Sequence, residues 1–219
     1  MKKAIVLLSG GLDSATTLYF AQSRGFKVHA LIFDYGQRHR KELQAAKRVA
    51  KAAKLPYSVV KISLPWRGSA LLDKKAALPK NRKLDKKEIP STYVPARNII
   101  FLSFAASFAE AVGADVIFIG ANAVDYSGYP DCRPEFYDAF RKALTCGQKT
   151  GVEGRTVRIQ TPLIHKTKAQ IIQLGMELGV PYHLTWSCYA GGRRPCGVCD
   201  SCRIRQKGFE AVEREDPLY

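Results

Sequence analysis

Short apolar segments alternate with amphipathic segments through the first 180 residues, and this alternation constrains the fold more than any other feature. Segments with the length of buried strands lie at residues 3–8, 27–33, 57–62, 115–119 and 156–160. Helical patterns lie at residues 13–24, 38–54, 96–112, 134–145 and 166–178. Strands joined through helices at this spacing form parallel sheets. The sequence therefore predicts an α/β fold with a mostly parallel, doubly wound sheet covered by helices on both faces.

The composition is that of a globular protein, with 46% hydrophobic and 25% charged residues among 219. The longest apolar runs are far shorter than the ~20 residues that cross a membrane. The apolar stretch after Met1 is too short for a secretory signal, and Ser9-Gly10-Gly11 interrupts it. We therefore expect a cytoplasmic protein without a membrane partner.

The chain is strongly basic, with 35 Lys and Arg against 19 Asp and Glu and a formal net charge of +16. This charge is compatible with nucleic acid, with an anionic small substrate or with a solvated basic surface. Part of the excess lies in residues 73–88, which we interpret as an exposed loop or as a lid that attracts phosphates.

A glycine-containing turn, Ser-Gly-Gly-Leu-Asp-Ser at residues 9–14, separates the first predicted strand from the first predicted helix. Its glycines allow close approach of an anion, which the N–H groups of the following helix would bind. Ser9 and Ser14 add hydroxyl groups, and Asp13 could cap the helix or help to hold Mg²⁺. The turn matches neither the Walker A nor the dinucleotide-binding pattern. It predicts a phosphate site at the end of the first strand, where parallel sheets bind ligands.

Four of the six cysteines lie within fifteen residues near the C-terminus, at Cys188, Cys196, Cys199 and Cys202. Such clustering favours a metal site over disulfides. Four thiolates around tetrahedral zinc form a closed structural site, while an iron–sulfur centre or redox-active thiols are alternatives. We predict a nucleotide-binding domain at 1–185 and a zinc-binding lobe at 186–219, with the last forty residues largely loop.

The turn at residues 9–14 resembles the S-G-G-x-D-S loop of the ATP pyrophosphatase superfamily, the adenine nucleotide α-hydrolases. The resemblance implies that the turn binds the phosphates of ATP and its Mg²⁺ while a substrate oxygen attacks the α-phosphorus. Phe33, at the end of the second strand, would flank the adenosine. The implied ATP-binding residues are Leu8, Ser9, Gly10, Gly11, Leu12, Asp13, Ser14 and Phe33.

Two further segments, Y-V-P-A-R-N at residues 93–98 and G-A-N-A-V-D-Y-S-G-Y-P-D-C-R at 120–133, complete a set with the cysteines. From Ser9 to about Cys202 this set resembles the 7-cyano-7-deazaguanine synthase family. The resemblance implies a homodimeric ATP-dependent ligase of queuosine biosynthesis with structural zinc and no obligatory nucleic acid. It would convert 7-carboxy-7-deazaguanine and ammonia into the nitrile through activated carboxylate and amide intermediates. The sequence leaves open whether ATP yields ADP and phosphate or AMP and pyrophosphate.

The same resemblance suggests roles for individual side chains. The implied catalytic residues are Arg97, Lys166 and Lys168, which could pair with phosphate, with the substrate carboxylate or with developing negative charge. The implied substrate-binding residues are Tyr93, Asn98, Asp125, Tyr126, Asp131, Arg133 and Glu135. Structural interpretations remain open for Glu135 as a first-turn helix acid, for Tyr93 as a core aromatic and for the two lysines as a solvated face.

Two other functions compete with this one. A tRNA-thiolating relative of the same superfamily would suit the basic charge and could use Cys132 or Cys146 to carry sulfur, although the sequence shows no recognisable tRNA-binding domain. A non-enzymatic zinc-ribbon module would instead bind nucleic acid with a steep dependence on salt.

Overall fold

The structure is a computed structural model that describes residues 1–66, 68–73, 75–81, 88–124 and 128–219. Most of the basic charge of segment 73–88, together with Asp125 and Tyr126, lies outside the described residues. The expectations for those positions stay predictions.

Five parallel strands form one sheet in the order β3-β2-β1-β4-β5. The strands are β1 (Lys3–Leu7), β2 (Lys27–Asp34), β3 (Tyr57–Lys61), β4 (Val116–Phe118) and β5 (Arg158–Gln160). All five predicted strands are confirmed. The chain adds strands first on one side of β1 and then on the other, so the direction of winding reverses between β1 and β4. Open parallel sheets bind ligands at the carboxyl ends of the strands at such a reversal.

Helices cover both faces of this sheet, as predicted. They are α1 (Leu12–Ser23), α2 (Lys41–Ala52), α3 (Arg97–Val112), α4 (Pro134–Gly147), α5 (Lys149–Val152), α6 (Lys168–Glu177) and α7 (Asp200–Glu210). One hydrophobic core joins α1, α2 and α6 to Ala4 and Val6 of β1, and a second joins α3 and α4 to Ile5 and Leu7. No described helix has the length and apolar character needed to cross a membrane.

Two helix predictions require correction. Lys166 does not open a helix, because Thr167 caps α6 through a capping box with Gln170 and the helix begins at Lys168. The last forty residues are largely loop as expected, but they contain a helix that was not predicted, since α7 occupies residues 200–210. Its buried positions include Cys202, Arg205 and Phe209. A cysteine and an arginine at buried positions do not produce the apolar spacing by which a helix is predicted.

A buried ion pair ties α7 to the C-terminal segment. The guanidinium of Arg205 donates to both carboxylate oxygens of Asp216, at 2.6 and 2.8 Å, and also to the Thr185 hydroxyl at 2.7 Å. Phe209 of the same helix belongs to the core of α1, α2 and α6. The C-terminal residues therefore pack on the sheet domain, while the division at residues 185 and 186 stays a prediction.

Removing one partner of this ion pair should strongly destabilise the protein. The side chains of Arg205 and Asp216 are only 3% and 5% exposed, so Asp216→Ala leaves a buried guanidinium without its counter-ion. We expect the free energy of unfolding in urea to fall by about 3–5 kcal/mol. Asp138→Ala is the matched control because Asp138 forms an exposed pair with Arg141, and its cost should stay below about 1 kcal/mol. Equal effects of the two variants would contradict this account.

Candidate active site

A cavity of about 300 Å³ opens at the carboxyl ends of the strands. Its walls come from the turn after β1, the end of β2, the loop after β4, the start of α3 and the residues that precede and follow Cys188. The volume is at the lower end of the range for small-ligand sites. The cavity lies where the topology of the sheet predicts a ligand.

The glycine turn forms one wall of the cavity and can adopt its conformation only with glycine at position 10. Gly10 has a φ of +88°, and an added Cβ would lie 2.3 Å from the carbonyl oxygen of Glu42. The hydroxyl groups of Ser9 and Ser14 lie 3.0 Å apart, and Ser14 also donates to the Gly11 carbonyl. The two hydroxyl groups therefore also hold the turn in shape. Gly11 is the N-cap of α1 without a side-chain cap, so Asp13 does not cap the helix.

Asp13 instead forms an ion pair with Lys168, which is 155 positions away in the sequence. The Lys168 Nζ donates to both carboxylate oxygens, at 2.6 and 2.8 Å, and both residues line the cavity. The structure thus brings a residue of the implied ATP-binding set together with a residue of the implied catalytic set. Beside the N-terminus of α1, this pair places a cation where phosphates would bind.

Arg97 lies in the same cavity and faces a cluster of polar groups. Its Nη1 lies 3.4 Å from the hydroxyl of Tyr35. Burial raises the pKa of the Glu42 carboxyl to about 7, while the positive charge of Arg97 opposes this shift. Burial likewise raises the pKa of the Tyr35 hydroxyl, again against the effect of Arg97. Arg97 is thus a half-buried guanidinium whose charge acts on both Glu42 and Tyr35.

Of the implied substrate-binding residues that the structure describes, only Asn98 lines the cavity. The Asp131 carboxylate accepts a hydrogen bond of 2.9 Å from the Asn98 backbone N–H, and burial raises its pKa. This bond satisfies a first-turn N–H of α3, which has no partner within the helix. The Asp131 carboxylate therefore has a structural role at the start of α3. Its role in binding the base stays a prediction.

The other implied residues do not line the cavity. The ring of Tyr93 packs 5.6 Å from that of Tyr129, which does line it. Arg133 and Glu135 are exposed, and Glu135 lies in the first turn of α4. Lys166 is half-buried. The functional roles given to these four residues stay predictions.

Several lining residues were missed by the sequence analysis, notably Glu42, Trp186 and Tyr189. Glu42 lies in the first turn of a charged helix, where a carboxylate is usually solvated. Trp186 reaches the turn through its backbone N–H, which donates to the Gly10 carbonyl at 2.8 Å. In the sequence, the one signal for this contact is that an aromatic residue stands two positions before Cys188, the first cysteine of the cluster.

The four clustered cysteines form a site suited to a metal. Their Sγ atoms all lie within 4.8 Å of one another, and those of Cys196 and Cys202 are 4.0 Å apart. Tetrahedral zinc with bonds of about 2.3 Å requires sulfur separations of about 3.8 Å, so small shifts would complete the site. The backbone N–H groups of Ala190 and Cys196 donate to the Cys188 sulfur. The cluster thus fits structural zinc.

Loss of one cysteine of the cluster should remove the metal and destabilise the lobe. We expect wild-type protein to contain about one zinc per chain, measured by elemental analysis, and Cys199→Ser to contain much less and to unfold at a lower temperature. Cys146→Ser is the control because Cys146 is exposed on α4, and it should retain zinc and stability. An iron content instead of zinc, or zinc retained in Cys199→Ser, would contradict the assignment.

The fold is an α/β fold of the adenine nucleotide α-hydrolase type. A similar fold is found in an NMN synthetase from Francisella tularensis, with a TM-score of 0.53 and 16% identity over 98% of this chain and 78% of that chain. It is also found in a 4-thiouridine synthetase in complex with RNA and ATP, with a TM-score of 0.52 and 18% identity over 97% and 50% of the two chains.

A family model described as "Queuosine biosynthesis protein QueC" matches residues 3–213. A 7-cyano-7-deazaguanine synthase from Acetivibrio thermocellus is 57% identical over 219 residues, covering 100% of this chain and 97% of that protein. A synthase of the same name from Nostoc punctiforme is 55% identical over 220 residues, covering 99% and 98%. The chain belongs to the 7-cyano-7-deazaguanine synthase family, as its motifs predicted. Neither the tRNA-thiolating enzyme nor the nucleic-acid-binding module is favoured by these matches.

Proposed function

We propose that the chain is an ATP-dependent ligase that converts 7-carboxy-7-deazaguanine and ammonia into 7-cyano-7-deazaguanine. The observation that carries this proposal, beside the family membership, is the sharing of one cavity by the glycine turn, the Asp13–Lys168 pair and Arg97. A phosphate site and a carboxylate site are both needed to activate a carboxylate with ATP.

ATP would bind with its phosphates at the turn and at the N-terminus of α1. Lys168 would contact a phosphate oxygen while its pairing with Asp13 holds its ammonium group in place. Asp13 is a single carboxylate, which is too few ligands for an all-protein magnesium site. Mg²⁺ would therefore arrive with ATP and keep phosphate oxygens as ligands. Leu8 and Phe33 line the same cavity and offer apolar contact to the adenosine.

The substrate carboxylate would pair with Arg97, whose planar guanidinium can bind two carboxylate oxygens at once. Tyr35 holds Arg97 through its hydroxyl, and the ring of Tyr129 also lines the cavity. Because Arg97 is half-buried, the ion pair would be stronger there than at the surface. Arg97 would thus orient the carboxylate toward the phosphates.

The chemistry must remove both oxygens of the carboxylate. In the first activation, a carboxylate oxygen attacks a phosphorus of ATP, the bond from that phosphorus to the bridging oxygen breaks, ADP or pyrophosphate leaves, and a mixed anhydride forms. Ammonia then attacks the carbonyl carbon, the phosphorus group leaves with that oxygen, and the amide forms with loss of a proton. A second activation of the amide oxygen allows it to leave in the same way, which yields the nitrile as the nitrogen loses its remaining protons. Positioning and electrostatic stabilisation at the turn and Lys168 would supply the catalysis.

Cys132 is poorly suited to the competing thiolation chemistry. It lines the cavity, and the Asn98 side-chain amide donates to its sulfur at 3.3 Å. Burial raises the pKa of its thiol to about 12, and the charge of Asp131 adds to this effect. The thiolate, not the thiol, is the nucleophile in sulfur transfer. A thiol held in its protonated form would not carry sulfur efficiently.

Nitrile formation tests the proposed function directly, with mass spectrometry after incubation with 7-carboxy-7-deazaguanine, ATP, Mg²⁺ and ammonium. We expect Lys168→Ala to lower kcat/KM for ATP by about 100-fold or more, because it removes a cation from the phosphate site. Lys149→Ala is the control, since the Lys149 side chain is 80% exposed, and it should match wild type. Folded, zinc-loaded wild-type protein that forms no nitrile would overturn the proposal.

We further propose that the enzyme works as a homodimer in the cytoplasm and needs no nucleic acid. Family resemblance suggests the dimer, and α3 supplies a surface for it. Ile100, Phe104 and Phe108 lie four residues apart on one side of that helix, and Phe104 is 42% exposed. Cys132 and Cys146 are free cysteines, which suits a reducing compartment.

A charge on this side of α3 should prevent dimer formation. We expect wild-type protein to show the mass of two chains by light scattering at micromolar concentration, and Phe104→Glu to show the mass of one. Val152→Glu is the control because Val152 is an exposed apolar residue on α5, and it should remain dimeric. A monomeric wild-type protein, or a dimeric Phe104→Glu, would contradict this surface.

A further inference from the structure

A second, much smaller cavity of about 10 Å³ adjoins the main cavity. The two cavities share Tyr35, Gln37, Glu42, Leu71 and Tyr189 as lining residues. A volume of this size accommodates about one water-sized molecule. The small cavity is thus a side pocket whose occupant would lie against the walls of the proposed active site.

Two polar groups in this side pocket can form a hydrogen bond with an occupant, as acceptor or as donor. One is the carboxylate of Glu42, and the other is the Nδ1 of His39, which is buried without a hydrogen-bond partner among the described residues. The Gln37 side chain is already engaged, since its oxygen accepts from the Tyr35 N–H and its nitrogen donates to the Phe33 carbonyl. A small molecule with several N–H groups and a lone pair would satisfy both remaining groups.

The charges around the pocket favour a neutral occupant. Arg97 faces Glu42 from the main cavity. Arg38 lines the side pocket and donates from its Nη1 to the carbonyl groups of Ala70 and Ala76. The positive charges of these two guanidinium groups oppose the binding of a further cation in the pocket. Neutral ammonia is of water size and, unlike ammonium, carries the lone pair that the reaction needs.

We propose that this side pocket binds the ammonia consumed by the reaction, with Glu42 as the acceptor of an N–H hydrogen bond. The inference rests on the proposed function, because it places the nucleophile of that reaction beside the site given to the activated carboxylate. Ammonia held there would lie against Tyr35 and Glu42, which also line the main cavity together with Arg97. Leu71 and Tyr189 limit the size of the pocket and would exclude larger amines.

The dependence of the rate on ammonium concentration tests the role of Glu42. We expect Glu42→Ala to raise the KM for ammonium about tenfold or more, which is the effect of losing a hydrogen bond to a charged acceptor. Glu42→Gln retains an acceptor oxygen and should raise it less. The KM values for ATP and 7-carboxy-7-deazaguanine should change by less than about threefold, whereas a merely structural role would change all three. A larger rise in the KM for 7-carboxy-7-deazaguanine than for ammonium would overturn the proposal.

A second experiment tests the pocket itself through its size. Leu71→Ala enlarges the pocket and should allow methylamine to attack the activated carboxylate, which yields an N-methyl amide that cannot proceed to the nitrile. The quantity measured is the rate of methyl amide formation divided by the rate of amide formation from ammonia. We expect this ratio to be at least about tenfold higher for Leu71→Ala than for wild type. Leu72→Ala is the matched control because Leu72 lines neither cavity. Equal use of methylamine by Leu71→Ala and Leu72→Ala would overturn the proposal.

The two experiments separate this inference from the proposed function. Nitrile formation by wild-type protein in the same assays establishes the function before any variant is compared. Wild-type activity with an unchanged ammonium KM in both Glu42 variants would reject the side pocket while the function stands. The absence of any wild-type product would instead reject the function.

Discussion

The close approach of the glycine turn to α2 is the contact on which the rest of the site depends. Gly10 lies against the backbone of Glu42 and Ala46 so tightly that no side chain fits between them. This contact sets the position of the turn at the end of β1 and brings the Glu42 side chain to the cavity. Since buried backbone is not easily displaced, the glycine turn and the start of α2 are held in one rigid arrangement.

The cysteine cluster packs against residues that support one wall of the cavity. Cys188, Cys199 and Cys202 form a buried cluster with Ala45 of α2 and with Trp186. The backbone N–H of Trp186 donates to Gly10, and the ammonium of Lys41 lies 4.4 Å from the centre of its indole ring. Metal binding would therefore stabilise the part of the cavity wall that Trp186 forms. Zinc bound at the cluster would thus be coupled to the geometry of the turn.

Most of the fold could be predicted because its signals are local. Each strand and each of the longer helices of the sheet domain follows from the length and spacing of its apolar residues, and their bounds agree within a few residues. Helix α7 was not predicted from the sequence because a cysteine and an arginine occupy positions on its buried face. Arg205 can be buried because Asp216, eleven residues later, supplies its counter-ion. A hydrophobic pattern cannot register a residue whose burial depends on a partner in another segment.

By itself, the sequence determined the parallel α/β architecture, the turn at residues 9–14, the cysteine cluster and the family, since each depends on residue types at short, fixed spacing. The tertiary structure alone decided which side chains meet. In the folded chain, Asp13 pairs with Lys168, and Asp131 accepts a hydrogen bond from the first turn of α3. Glu42 lies close enough to Arg97 for their charges to interact. These pairings join segments that are distant in the chain, and their energies depend on distance and burial. Both quantities are set only when the helices pack against the sheet.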